Sequence, residues 1–224
     1  MLDNKGFDLW ANNYDKTVGI SNDNNTYPFA GYKNILNQIY NDILNSSAEK
    51  VLDVGFGTGV LTYKLYEEGI TIYGQDFSKN MIDLAKSKMP KAHLYEYDFT
   101  NGLIQELKDQ KYDAVIATYS LHHLNDKEKE KFIKNSIFPV LKNNGILYIG
   151  DVAFKSRAEL ENYKQQNISI WDNDEVYWVY DEIRDKFKKC IFKKYSECSG
   201  IIKIWNDELG VTIDQLANQN EGEI

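Results

Sequence analysis

Nine residues, Val51-Leu52-Asp53-Val54-Gly55-Phe56-Gly57-Thr58-Gly59, constrain the fold more than any other stretch of the chain. A short apolar run ends in a glycine-rich turn, and Val60-Leu61-Thr62-Tyr63-Lys64-Leu65 then opens a helix. The pattern predicts a strand, a tight turn and a helix N-terminus. Glycines reach backbone angles closed to other residues, and they let a ligand approach the main chain closely. The helix start presents unpaired N–H groups to a polar ligand. The spacing is G-x-G-x-G, opened by the acid Asp53. A dinucleotide fingerprint of the form G-x-G-x-x-G would need glycine at position 60, where Val60 stands.

The rest of the chain is consistent with a nucleoside-binding sheet. Ile70-Thr71-Ile72-Tyr73-Gly74-Gln75-Asp76 reads as a second buried strand ending in an acid. Asp76 falls roughly 20 residues beyond the turn, where such sheets place a ribose-binding carboxylate. A carboxylate there accepts from both ribose hydroxyls, a charge-assisted and bidentate arrangement. Ser78 follows as a helix N-cap before Met81-Ile82-Asp83-Leu84-Ala85. His93 to Tyr97 alternates and reads as the third strand, Tyr112 to Leu124 as the fourth with its exit loop, and Ile146 to Phe154 as the fifth. Cys190 to Glu197 and Gly200 to Trp205 read as two strands joined by a tight turn. Between the strands lie helical patterns. Phe29, Tyr32, Ile35, Leu36, Ile39, Tyr40, Ile43 and Leu44 recur at helical spacing, with Pro28 where a helix start tolerates it. Asn125 with Glu128 and Ser156 with Glu159 have the spacing of capping boxes. Asp126 to Lys131 reads as a solvated helix face.

Strand–helix alternation predicts an α/β fold: a doubly wound, mostly parallel, Rossmann-like sheet of about seven strands with a C-terminal antiparallel hairpin. The 224 residues, 42% of them hydrophobic, suit one domain with a substantial core. Its expected parts are an N-terminal segment and helix (1–45), a cofactor-binding core (46–155), a variable insertion (156–188), the closing hairpin (189–205) and a polar tail (206–224). The net charge of −8 and isoelectric point near 5.0 disfavour a broad nucleic-acid or anionic-membrane surface. No apolar run is long enough to span a membrane. The N-terminus lacks the basic start and apolar stretch of a signal peptide, so a cytoplasmic location is expected. Cys190 and Cys198 have no metal-ligand spacing and read as reduced thiols. No pattern specifies an oligomeric state.

The acid-led G-x-G-x-G stretch resembles motif I of the class I S-adenosylmethionine (SAM) methyltransferases. Gly74-Gln75-Asp76-Phe77-Ser78 with Met81, Ile82 and Ala85 resembles their motif II, G-x-D-x-S-x-x-M-I-x-x-A, although Gln75 replaces the usual apolar residue. Phe7, Asp8, Ala11, Tyr14 and Asp15 match the F-D-x-x-A-x-x-Y-D opening of many small-molecule members, a segment that folds over the cofactor. Tyr112-Asp113, the apolar run after them and Leu121-His122-His123-Leu124 resemble the motif IV region. The resemblance spans roughly residues 7 to 205. It implies SAM as cofactor, contacted by Tyr14, Asp53, Gly55, Gly57, Gly59, Asp76, Phe77, Met81, Asp98, Phe99 and Thr118. Asp98 reads equally as the cap of the next helical turn, and the two roles are compatible.

The resemblance also implies a small-molecule acceptor near Tyr119, His122, His123 and Asp151. Ligands of open α/β sheets lie beyond the carboxyl ends of the strands. One histidine could serve as general base, or be a structural residue bonded to nearby backbone. Asp151 could contact substrate or simply end its strand. Adjacent histidines on a loop rarely bind one metal together, and no third ligand is evident, so no metal is expected. Trp171 to Tyr180 is aromatic and acidic. That suits a cationic substrate, or the packing of a short helix. No covalent nucleophile is required, because SAM is itself an activated methyl donor. A nicotinamide dehydrogenase fits poorly at Val60. A SAM-binding sensor without turnover and an RNA methyltransferase are the remaining alternatives, the second disfavoured by the acidic charge.

Overall fold

The computed structural model describes residues 26–206. The expectations for Tyr14 and the Phe7–Asp15 segment, and for the tail beyond position 206, lie outside the described residues. The order is α1 (Tyr32–Asn45), β1 (Lys50–Val54), α2 (Val60–Glu67), β2 (Thr71–Asp76), α3 (Lys79–Lys88), β3 (His93–Glu96), α4 (Gln105–Lys108) and β4 (Tyr112–Thr118). Then come α5 (Asp126–Phe132), β5 (Leu141–Phe154), α6 (Arg157–Gln166), β6 (Trp178–Val179), α7 (Tyr180–Ile183), β7 (Cys190–Lys194) and β8 (Ser199–Trp205).

The strands form one sheet in the order β3-β2-β1-β4-β5-β8-β7. β1 to β5 are parallel, and β8 lies antiparallel between β5 and β7. The count differs from the expected seven, because β6 pairs in parallel with Ala153–Phe154 off the main path. Two residues of pairing leave too faint a pattern to read in sequence.

Both faces of the sheet are covered, which is why its central strands are apolar throughout. Alternation sorts neighbours to opposite sides. Val51, Ile72, Ile116 and Tyr148 pack with Ile35, Ile39 and Ile43 of α1, Leu65 of α2 and Ala85 of α3. Leu52, Val54, Val115, Leu147 and Ile149 face Leu103, Leu107, Phe132, Ile133 and Ile137. The helix α1 begins at Tyr32, four residues beyond Pro28, because Gly31 takes a left-handed conformation at its N-cap. The fifth strand begins before the expected Ile146. The strand runs from Leu141, with Asn144 left-handed and a register shift opposite Tyr112–Ala114. The sheet reverses its winding between β1 and β4, the topological switch point where open sheets bind ligands.

Candidate active site

The turn after β1 and the ends of β2 and β4 together frame one cleft of about 410 Å³, measured to its open mouth. It is lined by Gly55, Gly57, Asp76, Phe77, Ser78, Met81, Phe99, Tyr119, Ser120 and His123. A larger surface hollow of about 740 Å³ lies between Thr100–Gly102 and the Leu124–Ser136 stretch. It borders neither the glycine turn nor a strand-end acid, and we do not take it as the ligand site.

Asp76 is buried and organises the cleft. Its carboxylate accepts from the Gly57 N–H and from the Ser78 N–H, each at 2.9 Å. Ser78 then caps α3, its hydroxyl accepting from the Met81 N–H. Gly57 has φ +55°, and a Cβ built on it would meet no atom within 4 Å. The turn is therefore open there, a cradle for a ligand. Gly55 differs. At φ +70°, its Cβ would stand 2.6 Å from the Ser120 Cβ, and the Ser120 hydroxyl donates to the Val54 carbonyl at 2.8 Å. Tyr119 has φ +51° at the end of β4, and its ring packs between Phe29 and Tyr32. Such a backbone conformation in a residue with a large side chain marks local strain.

Other expected residues stand outside the cleft lining. Asp53 is buried beneath the turn and accepts from the Thr62 hydroxyl, while its other oxygen has no partner. Burial pushes its pKa up to about 7, with the nearby Asp76 charge adding to the effect. Gly59 faces α3, its Cβ position 2.9 Å from the Met89 Cε. Asp98 is exposed and caps the turn Phe99–Asn101, accepting from the Thr100 N–H at 2.9 Å. Thr118 is half-buried and precedes the cleft wall by one residue.

Behind His123 lies a hydrogen-bonded cluster. His122 is buried, and its Nδ1 lies 2.8 Å from Asp151 Oδ1. Asp151 also accepts from the Val152 N–H at 2.8 Å and the Trp178 Nε1–H at 3.3 Å. Its carboxyl end of β5 is thus closed by protein groups. On the other side, His122 Nε2 stands 3.4 Å from Glu175 Oε1. The Tyr177 hydroxyl donates to Glu175 Oε2 at 2.7 Å and also meets the Tyr27 hydroxyl. Burial opposes charge on His122, but Asp151 and then Glu175 outweigh it and raise its pKa. His123 moves the other way, to about 4, through burial and then the neighbouring His122. Burial raises the Glu175 pKa.

The expectation that the paired histidines lack a third potential ligand is corrected here. Glu175, more than fifty positions along the chain, brings its carboxylate to both. The Trp171–Tyr180 stretch forms no single helix. It runs extended through β6, with Trp171 stacked on Tyr27 at 5.3 Å and Trp178 buried. Lys129 is also not solvated as expected. It is 1% exposed, lies 4.4 Å over the Trp178 ring and donates to the Val176 carbonyl. Gln75, the departure from the apolar pattern, is buried with both ends bonded: Nε2 donates to Gly102 O at 2.9 Å, and Oε1 accepts from the Ile104 N–H at 3.1 Å. Among the described residues no helix is long and apolar enough to cross a membrane, and Cys190 and Cys198 are free thiols.

A parallel sheet with a glycine turn, a strand-end acid and a cleft at its switch point defines an α/β protein of the nucleoside-cofactor-binding class. Within that class the chain belongs to the methyltransferase family, whose domain description, "Methyltransferase domain", matches residues 45–205. A methyltransferase from Oceanobacillus iheyensis is 31% identical over 83% of this chain and 87% of its own. One from Alkaliphilus oremlandii is 29% identical over 84% and 83%. Among solved structures, the Synechocystis magnesium protoporphyrin IX methyltransferase with bound SAH aligns at a TM-score of 0.62, with 18% identity over 80% of this chain and 85% of that one. The DhpI–SAH complex aligns at 0.62, with 16% identity over 89% and 93%.

Proposed function

We propose that this methyltransferase transfers a methyl group from SAM to a small-molecule acceptor. The observation that carries the reading is Asp76, fixed by the Gly57 and Ser78 N–H groups in a cleft where the space beside Gly57 is open. A nucleoside with two vicinal hydroxyls fits a carboxylate held in this way. Phe77, Met81 and Phe99 supply apolar surface for a base, and Asp98 stands exposed next to Phe99, one oxygen held by the Thr100 N–H. Tyr14, Asp53, Gly59 and Thr118 remain proposed contacts, with Tyr119 and His123 on the acceptor side. His122 and Asp151 are proposed to act from behind His123.

When bound, SAM supplies a sulfonium-activated methyl group. The protein's own work is positional. Asp76 and the Gly55–Gly57 turn hold the nucleoside, while Tyr119 and Ser120 fix the wall where an acceptor would approach. Correct alignment of two reactants alone removes several kcal/mol of barrier. The aromatic Phe7–Asp15 segment is proposed to cover the cleft and exclude water. A structural neighbour named for a small molecule, the magnesium protoporphyrin IX methyltransferase, supports a small-molecule acceptor rather than a polymer.

Calorimetry tests the reading. SAM and its demethylated product should both bind the parent, and Asp76→Ala should weaken each by about 10- to 100-fold, the cost of losing a charge-assisted partner. Unchanged affinity in a folded Asp76→Ala variant, or tight binding of a nicotinamide dinucleotide by the parent, would refute it.

A further inference from the structure

We propose that His122, His123 and Glu175 form a binding site for one divalent transition-metal ion, of which zinc is the probe, at the inner wall of the ligand cleft. One ligand atom from each residue lies within 4.8 Å of the others. Ions of this type bind imidazole nitrogen and carboxylate oxygen at about 2.0–2.2 Å, which sets two ligands on a tetrahedral ion about 3.3–3.6 Å apart, so closure around an ion draws the widest pair together by at most roughly 1.5 Å.

Two distances favour a metal site over a simple ion pair. A charge-assisted N–H···O contact between an imidazolium and a carboxylate closes to about 2.7–2.9 Å. The His122 Nε2 to Glu175 Oε1 separation is 3.4 Å. That is too long for a strong ionic hydrogen bond. It is the spacing of two ligands on a tetrahedral ion about 2.0–2.1 Å from each. The second distance is the 2.8 Å from His122 Nδ1 to Asp151 Oδ1. A metal-bound histidine characteristically donates its other ring N–H to a carboxylate, which fixes the tautomer and the ring. Asp151 is itself held by Val152 and Trp178. Glu175 is braced in the same manner, its second oxygen accepting from Tyr177 at 2.7 Å. His122 and Glu175 therefore have outer-shell partners already in place, and two of the three ligands are drawn from one loop while the third arrives from a distant segment.

Among the described residues three ligands are at hand, the number used by catalytic sites, which keep a position open, rather than by structural ones. His123 lines the cleft, so an open position on its ion would be reachable from there. The ligand class it fits is a small molecule with a donor oxygen or sulfur, such as a hydroxyl or thiol. That role rests on the proposed methyl transfer; the metal site itself rests on geometry alone.

The test uses the full-length untagged protein, stripped with a chelator and titrated with zinc by calorimetry, and with cobalt(II) followed by its visible absorption. One equivalent of zinc per chain should bind, with cobalt giving the intense bands of a low-coordinate site. Glu175→Gln and His123→Ala should each weaken uptake at least tenfold, and Asp151→Asn should weaken it 10- to 100-fold as a loss of ligand support. Circular dichroism checks the fold, and His123→Asn replaces His123→Ala if the latter is unfolded. Absence of saturable uptake by the parent would overturn the proposal, as would uptake unchanged in folded Glu175→Gln and His123 variants. SAM binding is measured on the same samples. SAM binding without zinc uptake would sink the metal site and leave the function standing; zinc uptake without SAM binding would do the reverse.

Discussion

Gly55 and Gly57 sit two positions apart in one turn, yet they are glycine for different reasons. Gly55 is required by packing, since Ser120 occupies the space its side chain would take. Gly57 has a left-handed φ of +55° but open space around it, and under the proposed function that space is what the cofactor enters. Forcing an extra methyl into a packed site costs about 1–3 kcal/mol, and a left-handed non-glycine residue costs about 1–2 kcal/mol. Gly55→Ala suffers both and Gly57→Ala only the second. In thermal unfolding, the Gly55→Ala variant should therefore lose roughly twice as much stability. SAM calorimetry should rank them differently, with Gly57→Ala weakening binding at least tenfold per unit of stability lost. Equal losses of stability would show that Ser120 yields easily and that the packing argument is wrong. The motif made both glycines legible in the sequence, but not their division of labour. That depends on Ser120, which is 65 residues away and contains nothing to mark it. Asp76 was legible for the same reason as the glycines, because strand, turn and strand have fixed lengths.

The elements divide along the same line. Strands and helices with strong apolar periodicity were readable, and so was the Asn125–Glu128 capping box, whose two reciprocal bonds are both present. Ser156–Glu159 formed only half of its box: Ser156 accepts from the Glu159 N–H, but Glu159 reaches Lys155 instead. The Trp171–Val179 stretch was not readable, because its course is set by distant partners rather than by local propensity. Lys129 is the clearest of these partners, pinning Val176 and Trp178 from α5. Burial pushes its pKa down from 10.5 to about 8. Below pH 8 both folded and unfolded chains hold the proton, and the full cost of the buried charge is present. Between pH 8 and 10.5 the unfolded chain binds more protons, so unfolding free energy rises with pH. Above that range neither state is protonated. Denaturant unfolding of the wild type and of Lys129→Met should therefore diverge in the wild type's favour as pH rises from 7.5 to 9.5, by at most about 3 kcal/mol. Parallel curves would mean that Lys129 is solvated.

At the scale of the whole molecule, the question is what kind of acceptor such a surface admits. The chain carries a net charge of −8, but net charge alone does not exclude a local basic groove. The distribution of ion pairs bears on it more directly. Lys64, Lys79, Lys134, Lys142, Lys155 and Lys194 each lie 2.7 to 3.2 Å from a carboxylate. They are scattered over helices and strand edges on several sides of the sheet, and none lines the cleft. A protein that grips a polynucleotide neutralises several phosphates in a row, releases counterions and loses affinity steeply with salt. These six lysines cannot do this without breaking their carboxylate contacts. The protein should therefore show no saturable binding of transfer RNA at low-micromolar concentration in 50 mM salt. Its affinity for SAM, measured beside it, should change less than about twofold between 50 and 200 mM salt, because contacts inside a cleft are weakly screened. Tight RNA binding with a log–log salt slope steeper than about −3 would instead mean several phosphate contacts, and would overturn the small-molecule acceptor while leaving the cofactor site untouched.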